Sequence, residues 1–216
     1  MTAEPNVESI AAAINRARPE IDGTDQRIIR TLYRLLREGD PVTDSDIATS
    51  TSLGLKEVGS RIANWPGVYR DDNGSVIGFW GLTIAEMPPH EIILDGRTLW
   101  AWCAWDTLFL PRRLGATLDV RSLCPVTGER ISLRVSSSRV KSVEPEHVVV
   151  SFLEPNRPFD ADVIGSFCHY VHFFADKVAG EKWTADHPGT FLMSLDDAFE
   201  VARLTDDDLL QSTTPS

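Results

Sequence analysis

The chain has 216 residues, of which 42% are hydrophobic and 25% are charged. This composition is typical of globular proteins and excludes collagen-like and intrinsically disordered chains, and no apolar run approaches the roughly 20 residues that a membrane-spanning helix needs. Asp and Glu outnumber Lys and Arg by 32 to 21, for a formal net charge of -11, which disfavours nucleic acid as a partner because phosphate recognition depends on cationic side chains.

The first 20 residues predict a loosely attached and partly disordered leader. A short helix is expected over 7–18, because Pro19 would end it. The segment lacks the basic stretch and long apolar core of a secretion signal, so we expect a cytoplasmic protein. The three cysteines agree, since an odd and small number does not build a disulfide scaffold.

Residues 21–87 predict a winged-helix-like domain. Segments with helical hydrophobic spacing or helix-start signals, separated by turns, are 25–38, 44–51 and 55–64. Thr43 followed by Asp46 predicts the N-cap of the second helix. Asn73-Gly74 between two apolar runs predicts a β-hairpin. Three helices followed by a hairpin is the pattern of a winged helix-turn-helix.

The charge of this region argues against DNA binding. Residues 1–90 hold 9 Lys and Arg against 13 Asp and Glu. The predicted recognition helix offers only Lys56 and Arg61, with Glu57 between them. Because contact with the phosphate backbone needs a basic face, we expect this domain to pack on its neighbour instead.

Residues 88–210 predict a second domain of mixed strands and short helices, which makes the fold class α+β. It begins after Pro88-Pro89, and a tail follows at 211–216 that we expect to be disordered. Asp95-Gly96 predicts another hairpin turn. The predicted strands and helices are strands over 116–121, 130–135, 139–143, 147–153 and 169–174, a buried helix over 99–110 that ends at Pro111, and helices over 160–168 and 195–210.

Cys103 and Asp106 lie in the apolar stretch LWAWCAWDTLFL. In the predicted helix their side chains project from one face, one turn apart. Burying a carboxylate there is unfavourable unless it is paired or protonated, and a carboxyl group beside a thiol can exchange a proton with it. The alternatives are a cysteine that fills the core and an aspartate that caps the helix or accepts a backbone hydrogen bond.

Cys168 begins the run CHYVHFF. In a strand, Cys168, Tyr170 and His172 would share one face and His169 the other. A cysteine near a histidine can be a nucleophile with its base, or both can ligate a metal; alternatively, the histidines hydrogen-bond locally. Cys124 precedes a proline and a turn, where we expect it to pack a loop, and the chain has no CxxC pair for a closed zinc site.

Several segments, in this order, resemble the alkylmercury (organomercurial) lyase family. They are GSVIGFWGLTI, LWAWCAWDTLFLP, the Cys124 segment, VEPEHVVVSF and SFCHYVHFFAD, and the resemblance spans roughly 25–200. It implies that the second domain is catalytic, that Cys103, Asp106 and Cys168 are catalytic residues, and that Cys124 is structural.

Two positions depart from the family pattern. Trp100 stands where a tyrosine is found in a well-known member, and His169 stands where that member has a further cysteine after the second catalytic one. Both differences bear on which organomercury compounds the protein accepts. The aromatic residues Trp100, Trp102, Trp105 and Phe167 line an apolar pocket for the organic group, or they pack the core.

The chemistry agrees with the resemblance. Thiolates are soft ligands suited to mercury, and a carboxyl group can pass a thiol proton to the leaving carbon. The resemblance implies protonolysis to a hydrocarbon, with the product Hg(II) held by Cys103, Cys168 and Asp106. It also implies that the reaction needs no cofactor and that small cellular thiols and mercuric reductase accept the Hg(II). Neither nucleic acid nor a membrane is expected as a partner.

Two other functions are alternatives to the lyase. A thiol-based mercury- or copper-binding protein needs Cys103 and Cys168 but not Asp106. A metal-responsive regulator would use the winged helix to bind DNA, and the acidic charge balance argues against it.

Overall fold

The computed structural model describes residues 6–63 and 65–211. Four helices come first in this part of the chain, one long helix comes last, and the strands lie between them together with three shorter helices. The helices described are Val7–Ala17 (α1), Gly23–Leu36 (α2), Asp44–Thr51 (α3), Leu55–Ile62 (α4), Asp106–Leu114 (α5), Val163–Ser166 (α6), Lys177–Ala185 (α7) and Leu195–Gln211 (α8). The strands are Val68–Arg70 (β1), Val76–Phe79 (β2), Leu82–Thr83 (β3), Glu91–Leu94 (β4), Arg97–Ala101 (β5), Leu118–Leu123 (β6), Arg130–Val135 (β7), Val140–Glu144 (β8), Val149–Leu153 (β9), Phe173–Phe174 (β10) and Thr190–Ser194 (β11). None of the helices in this part of the chain is both long and apolar enough to cross a membrane.

Local signals position the helices of the N-terminal region. Asp22 caps α2 by accepting hydrogen bonds from the backbone of residues 24 and 25. The predicted N-cap at Thr43 is confirmed, since Thr43 and Asp46 form a reciprocal capping box at the start of α3. The hairpin predicted at Asn73-Gly74 joins β1 to β2, which pair antiparallel.

Helix α1 is part of the packed structure. Ile10 and Ile14 on one face are fully buried, and α1 packs against α8. The backbone of Ala17 accepts a hydrogen bond from Phe159 at 2.8 Å. The predicted helix is therefore confirmed. The prediction that this segment is loosely attached is wrong, because an apolar face of α1 packs on the C-terminal helix. Residues 1–5 of the predicted leader and 212–216 of the predicted tail lie outside the described residues.

An antiparallel sheet connects the two halves of the chain. Among the described residues it has the strand order β1-β2-β3-β5-β4-β6-β7-β8, and a second sheet has the order β10-β9-β11. Leu82 of β3 pairs with Ala101 of β5, so the first sheet continues past the predicted domain boundary at 87/88. The division into two domains stays a prediction.

The apolar segment 99–110 differs from its prediction as a single helix. Its first residues belong to β5, a turn follows, and α5 begins at Asp106 and runs through Pro111 to Leu114. A strand paired on both sides and a helix in the core are both apolar all round, so the run had no period to distinguish them. Gly115, with φ of +63°, ends α5 in the left-handed conformation.

The C-terminal half also departs from its prediction in places. The segment predicted as a strand over 169–174 contains a 3₁₀ turn at Cys168–Tyr170, and only Phe173–Phe174 pairs with β9. The elements α7 and β11 were not predicted. Strand β7 has its predicted bounds and β6 lies two residues later than predicted, and both have alternate residues buried on one face.

Candidate active site

Cys103 lies in the turn that joins β5 to α5. Its backbone N–H donates a hydrogen bond of 2.9 Å to the Asp106 Oδ2 atom, at the first residue of α5. The carboxylate thus folds back over the turn that precedes its own helix. The two residues are close, as predicted, but the reason is this turn and not a shared helix face.

Cys168 comes from a distant part of the chain. It lies in the 3₁₀ turn that follows α6, and Val171 after that turn accepts a hydrogen bond of 3.1 Å from the backbone of Ala104. The strand-face argument for Cys168, Tyr170 and His172 is therefore wrong. The backbone bond between residues 104 and 171 fastens one cysteine-bearing turn to the other.

The two sulfurs and the carboxylate converge. One ligand atom from each of Cys103, Asp106 and Cys168 lies within 4.8 Å of the other two. The Cys168 Sγ atom is 4.0 Å from Asp106 Oδ2. Two sulfurs bound to one metal ion are at most about two metal–sulfur bonds apart, roughly 5 Å with zinc-like bonds as a guide. Both sulfurs could therefore contact a single soft metal ion.

The site is shielded from water. The exposed fractions of Cys103, Asp106 and Cys168 are 0%, 4% and 4%. Burial raises the pKa of Asp106 to about 7, against the lowering effect of its hydrogen bonds to Cys103 and of the Arg113 charge. A carboxyl group with this pKa both accepts and donates a proton near neutral pH.

Burial also keeps the thiols protonated. It raises the pKa of Cys103 well above its usual value, with the neighbouring Cys168 and Asp106 adding to the effect. For Cys168, a hydrogen bond with Cys103 lowers the pKa, but burial and the Asp106 charge raise it overall. The site therefore holds protons that must leave when the sulfurs bind a metal.

The turn between β2 and β3 contacts the carboxyl group of Asp106, and the sequence had not drawn attention to it. Gly81 in this turn has φ of +87°, and a Cβ atom added there would lie 2.7 Å from Asp106 Cγ and Oδ1. A glycine between apolar residues in a strand-like run, here FWGL, is a signal of close backbone approach. The signal does not say which residue approaches.

Of the four aromatic residues singled out in the sequence, Trp102, Trp105 and Phe167 are buried and Trp100 is half-buried. Trp105 and Phe167 make edge-to-face contacts with each other and with Phe152, so they pack the core next to the cysteines. Trp102 contacts Tyr69 with ring centroids 5.0 Å apart. Trp100 is half-buried in β5, within a surface groove lined also by residues of β6 and β7.

The remaining candidates have local roles. The buried Cys124 forms backbone hydrogen bonds of 2.9 Å with Glu129 and Gly128, which agrees with loop packing. Burial raises the pKa of the Cys124 thiol, but hydrogen bonds with Thr127 and the backbone lower this pKa overall. His172 Nε2 lies 2.8 Å from the His169 carbonyl oxygen and donates to it, as the local interpretation of these histidines expects.

Comparison with known proteins finds similarity along most of the chain. The family described as alkylmercury lyase matches residues 83–205, and the helix-turn-helix domain of alkylmercury lyase matches residues 10–80. The alkylmercury lyases of Staphylococcus epidermidis and Bacillus cereus are 37% and 40% identical to this chain, over 92% and 82% of its length and 90% and 79% of theirs. A solved structure, the mercury-bound form of MerB2, has a TM-score of 0.75 at 27% identity and covers 95% of this chain and 100% of that one. The α+β fold with an N-terminal helix-turn-helix region is confirmed.

Proposed function

Because the chain belongs to the alkylmercury lyase family and is an organomercurial lyase, we propose that Cys103, Asp106 and Cys168 are the residues that cleave the carbon–mercury bond. The observation that carries this assignment is the convergence of two sulfurs and one carboxylate within 4.8 Å in a buried site. Thiolates supply electron density to mercury, and the carboxyl group supplies the proton that carbon needs.

The reaction begins when one of the two cysteines binds the organomercury cation R–Hg⁺. The sulfur–mercury bond forms as that thiol loses its proton to the solvent. The second thiol then approaches mercury and passes its proton to the carboxylate of Asp106. In the structure the Cys168 sulfur is 4.0 Å from Asp106 Oδ2, a short path for this transfer.

Asp106 then protonates the carbon bound to mercury. The electron pair of the carbon–mercury bond becomes the new carbon–hydrogen bond, and the hydrocarbon R–H leaves. Hg(II) remains bound by the sulfurs of Cys103 and Cys168, with Asp106 beside it. No electrons are gained or lost overall, so the reaction needs no redox cofactor. Of the two thiol protons, one goes to solvent and one to the product.

The bound Hg(II) must leave before another turnover. We propose that small cellular thiols remove it by ligand exchange and that mercuric reductase is a further acceptor, since both offer the thiolates that Hg(II) prefers. A reducing compartment such as the cytoplasm suits this exchange, because it keeps the enzyme's own cysteines reduced.

Hydrocarbon release tests the assignment. Wild-type protein incubated with phenylmercury and excess thiol should release benzene, measured by gas chromatography. Asp106→Ala should still bind phenylmercury and release benzene about 10²–10⁴-fold more slowly, the usual contribution of a general acid. Cys103→Ala and Cys168→Ala should also lose release, whereas Cys124→Ala should keep the wild-type rate per folded molecule.

The rates of the variants decide between the alternatives. Equal release by the wild type and Asp106→Ala would remove the carboxyl group from the mechanism. Stoichiometric binding of phenylmercury by the wild type without any benzene would indicate a mercury-binding protein instead of a lyase.

A further inference from the structure

The turn between β2 and β3 has an unusual backbone. Trp80 has φ of +32° and Gly81 has φ of +87°, so both central residues are left-handed, as in a tight type I′ hairpin turn. A tryptophan rarely adopts this conformation. The Gly81 carbonyl accepts a hydrogen bond of 3.1 Å from the backbone of Trp102, next to Cys103.

Contacts from the N-terminal region, and one from Phe159, hold this turn in place. The Tyr33 hydroxyl of α2 donates a hydrogen bond of 2.8 Å to the Trp80 carbonyl. The backbone N–H of Trp80 donates to the Gly67 carbonyl at 3.0 Å, and the indole ring packs so closely on Gly67 that a Cβ there would be 3.3 Å away. Phe159 contacts the same indole with ring centroids 5.6 Å apart.

We propose that Gly81 is a positioning residue for the proton transfer, a role that rests on the function proposed above. Because Gly81 has no side chain, its backbone packs directly against Asp106 Cγ and Oδ1. With one side of the carboxyl group packed in this way, Oδ2 accepts the hydrogen bond from the Cys103 N–H at 2.9 Å and lies 4.0 Å from the Cys168 sulfur. The winged-helix region thereby sets the direction of the acid.

A side chain at position 81 would disturb this arrangement. A Cβ would lie 2.7 Å from Asp106 Cγ and Oδ1 and 2.9 Å from Asp106 Cβ, well inside ordinary van der Waals contact. Either the carboxyl group rotates or the turn shifts away. In both cases Oδ2 leaves its place between the Cys103 amide and Cys168, and misplacement of a reacting group by about 1 Å can lower a rate by roughly 10²-fold.

The chain contains a matched control for the backbone effect. The turn between β4 and β5 also has two left-handed residues, Asp95 with φ of +51° and Gly96 with φ of +81°. A Cβ at Gly96 would meet nothing within 4 Å. Gly96→Ala therefore imposes the same kind of conformational strain as Gly81→Ala but no collision with Asp106.

The experiment compares wild type, Gly81→Ala and Gly96→Ala. Intact sites are first counted by titration with phenylmercury, and benzene release is then measured per intact site under excess thiol. We expect Gly81→Ala to bind one phenylmercury per chain with an unchanged KM and a kcat about 10²-fold lower, because the sulfurs remain and the acid is displaced. Gly96→Ala should match the wild type in both constants.

A kcat per intact site that is the same in Gly81→Ala and the wild type would overturn the inference. An equal drop in Gly81→Ala and Gly96→Ala would also overturn it, because backbone strain alone would then explain the effect. If the wild type itself releases no benzene, the proposed function fails, which is a different result from either of these.

A second variant covers the case in which Gly81→Ala does not fold. Tyr33→Phe removes the hydroxyl group that donates to the Trp80 carbonyl and accepts a hydrogen bond from Arg113. The turn that carries Gly81 can then loosen against Asp106. We expect a kcat roughly tenfold lower, the equivalent of the lost hydrogen bond to the Trp80 carbonyl, with KM unchanged. A kcat equal to that of the wild type would show that the turn does not control Asp106.

Discussion

Two aspartates buried next to opposite ends of α5 face very different partners. Asp106, at the start of the helix, faces the thiols of Cys103 and Cys168. Asp206 of α8 is fully buried and pairs with Arg113 near the helix end, with two nitrogen–oxygen distances of 2.8 Å and 3.0 Å. The same helix therefore carries a carboxyl group beside two thiols at one end and, at the other, the cation that pairs with a second buried carboxylate.

The comparison shows how partners decide what a buried carboxyl group does. Arg113 is always protonated, so it gives Asp206 a permanent counter-charge and fixes α8 against α5. A thiol is no such counter-charge. Burial therefore raises the pKa of Asp106 to about 7, as the proton transfer proposed above requires.

Removing the cation of the structural pair is the change with the largest expected effect. Arg113→Met leaves the Asp206 carboxylate buried without its main partner, and breaking such a pair lowers the free energy of unfolding by about 3–5 kcal/mol. Chemical denaturation of the reduced, mercury-free protein measures this loss. Adding Asp206→Leu to Arg113→Met should recover much of it, because no buried charge then remains.

Arg112→Met is the control for this prediction. Arg112 is the neighbouring residue on α5, with its Nε atom 3.9 Å from Asp206 Oδ2. Because Asp206 keeps its pair with Arg113 in this variant, stability should fall much less. A loss below about 1 kcal/mol in Arg113→Met would mean that the pair does not stabilise the contact between α5 and α8.

The contrast between the two aspartates could not be predicted from the sequence. Capping and tight turns were predicted correctly because they depend on neighbours along the chain. These are the cap of Thr43 with Asp46 and the hairpin turns at Asn73-Gly74 and Asp95-Gly96. The contact of Gly81 with Asp106 depends on tertiary packing, as does the pair of Arg113 with Asp206. Neither leaves a periodic pattern in the sequence.

The candidate site was predicted through family resemblance and not through secondary structure. The residues Cys103, Asp106 and Cys168 are brought together by two turns, although the sequence had suggested a helix and a strand. A continuous apolar run has no period, so the strand–turn–helix around Cys103 was invisible. The spacing of Cys103 and Asp106 still mattered, because a side chain at i+3 can accept a hydrogen bond from the backbone of residue i.

The pH dependence of stability tests the raised pKa of Asp106 directly. Asp106 binds its proton in the folded protein up to a pKa of about 7, against a usual value of 3.8. Between these values the folded state holds one proton more than the unfolded state, so wild-type stability falls as pH rises, by about 1.4 kcal/mol per pH unit at most. Asp106→Asn removes this term.

The measured quantity is the difference in unfolding free energy between Asp106→Asn and the wild type. It should shift in favour of the variant from pH 4.5 to 7 and then level off. The same substitution at the exposed Asp119, which pairs with Arg134 at 3.1 Å, removes one surface charge and serves as the control variant. A difference that stays constant for Asp106→Asn would show that the folded protein does not raise the pKa of Asp106.

The smallest effect is expected where a carboxylate has a cation but is not buried. The Asp95 side chain is 64% exposed and lies 2.9 Å from Arg37. Asp95→Asn keeps a residue that tolerates the left-handed conformation of this turn, so mainly the charge changes. We expect a loss of about 0.2–1 kcal/mol that disappears in high salt, measured by denaturation at two ionic strengths. A salt-independent loss as large as that of Arg113→Met would contradict this expectation. It would mean that the cationic partner, and not burial, decides how much a carboxylate contributes to stability. The difference between Asp106 and Asp206 would then result from pairing alone.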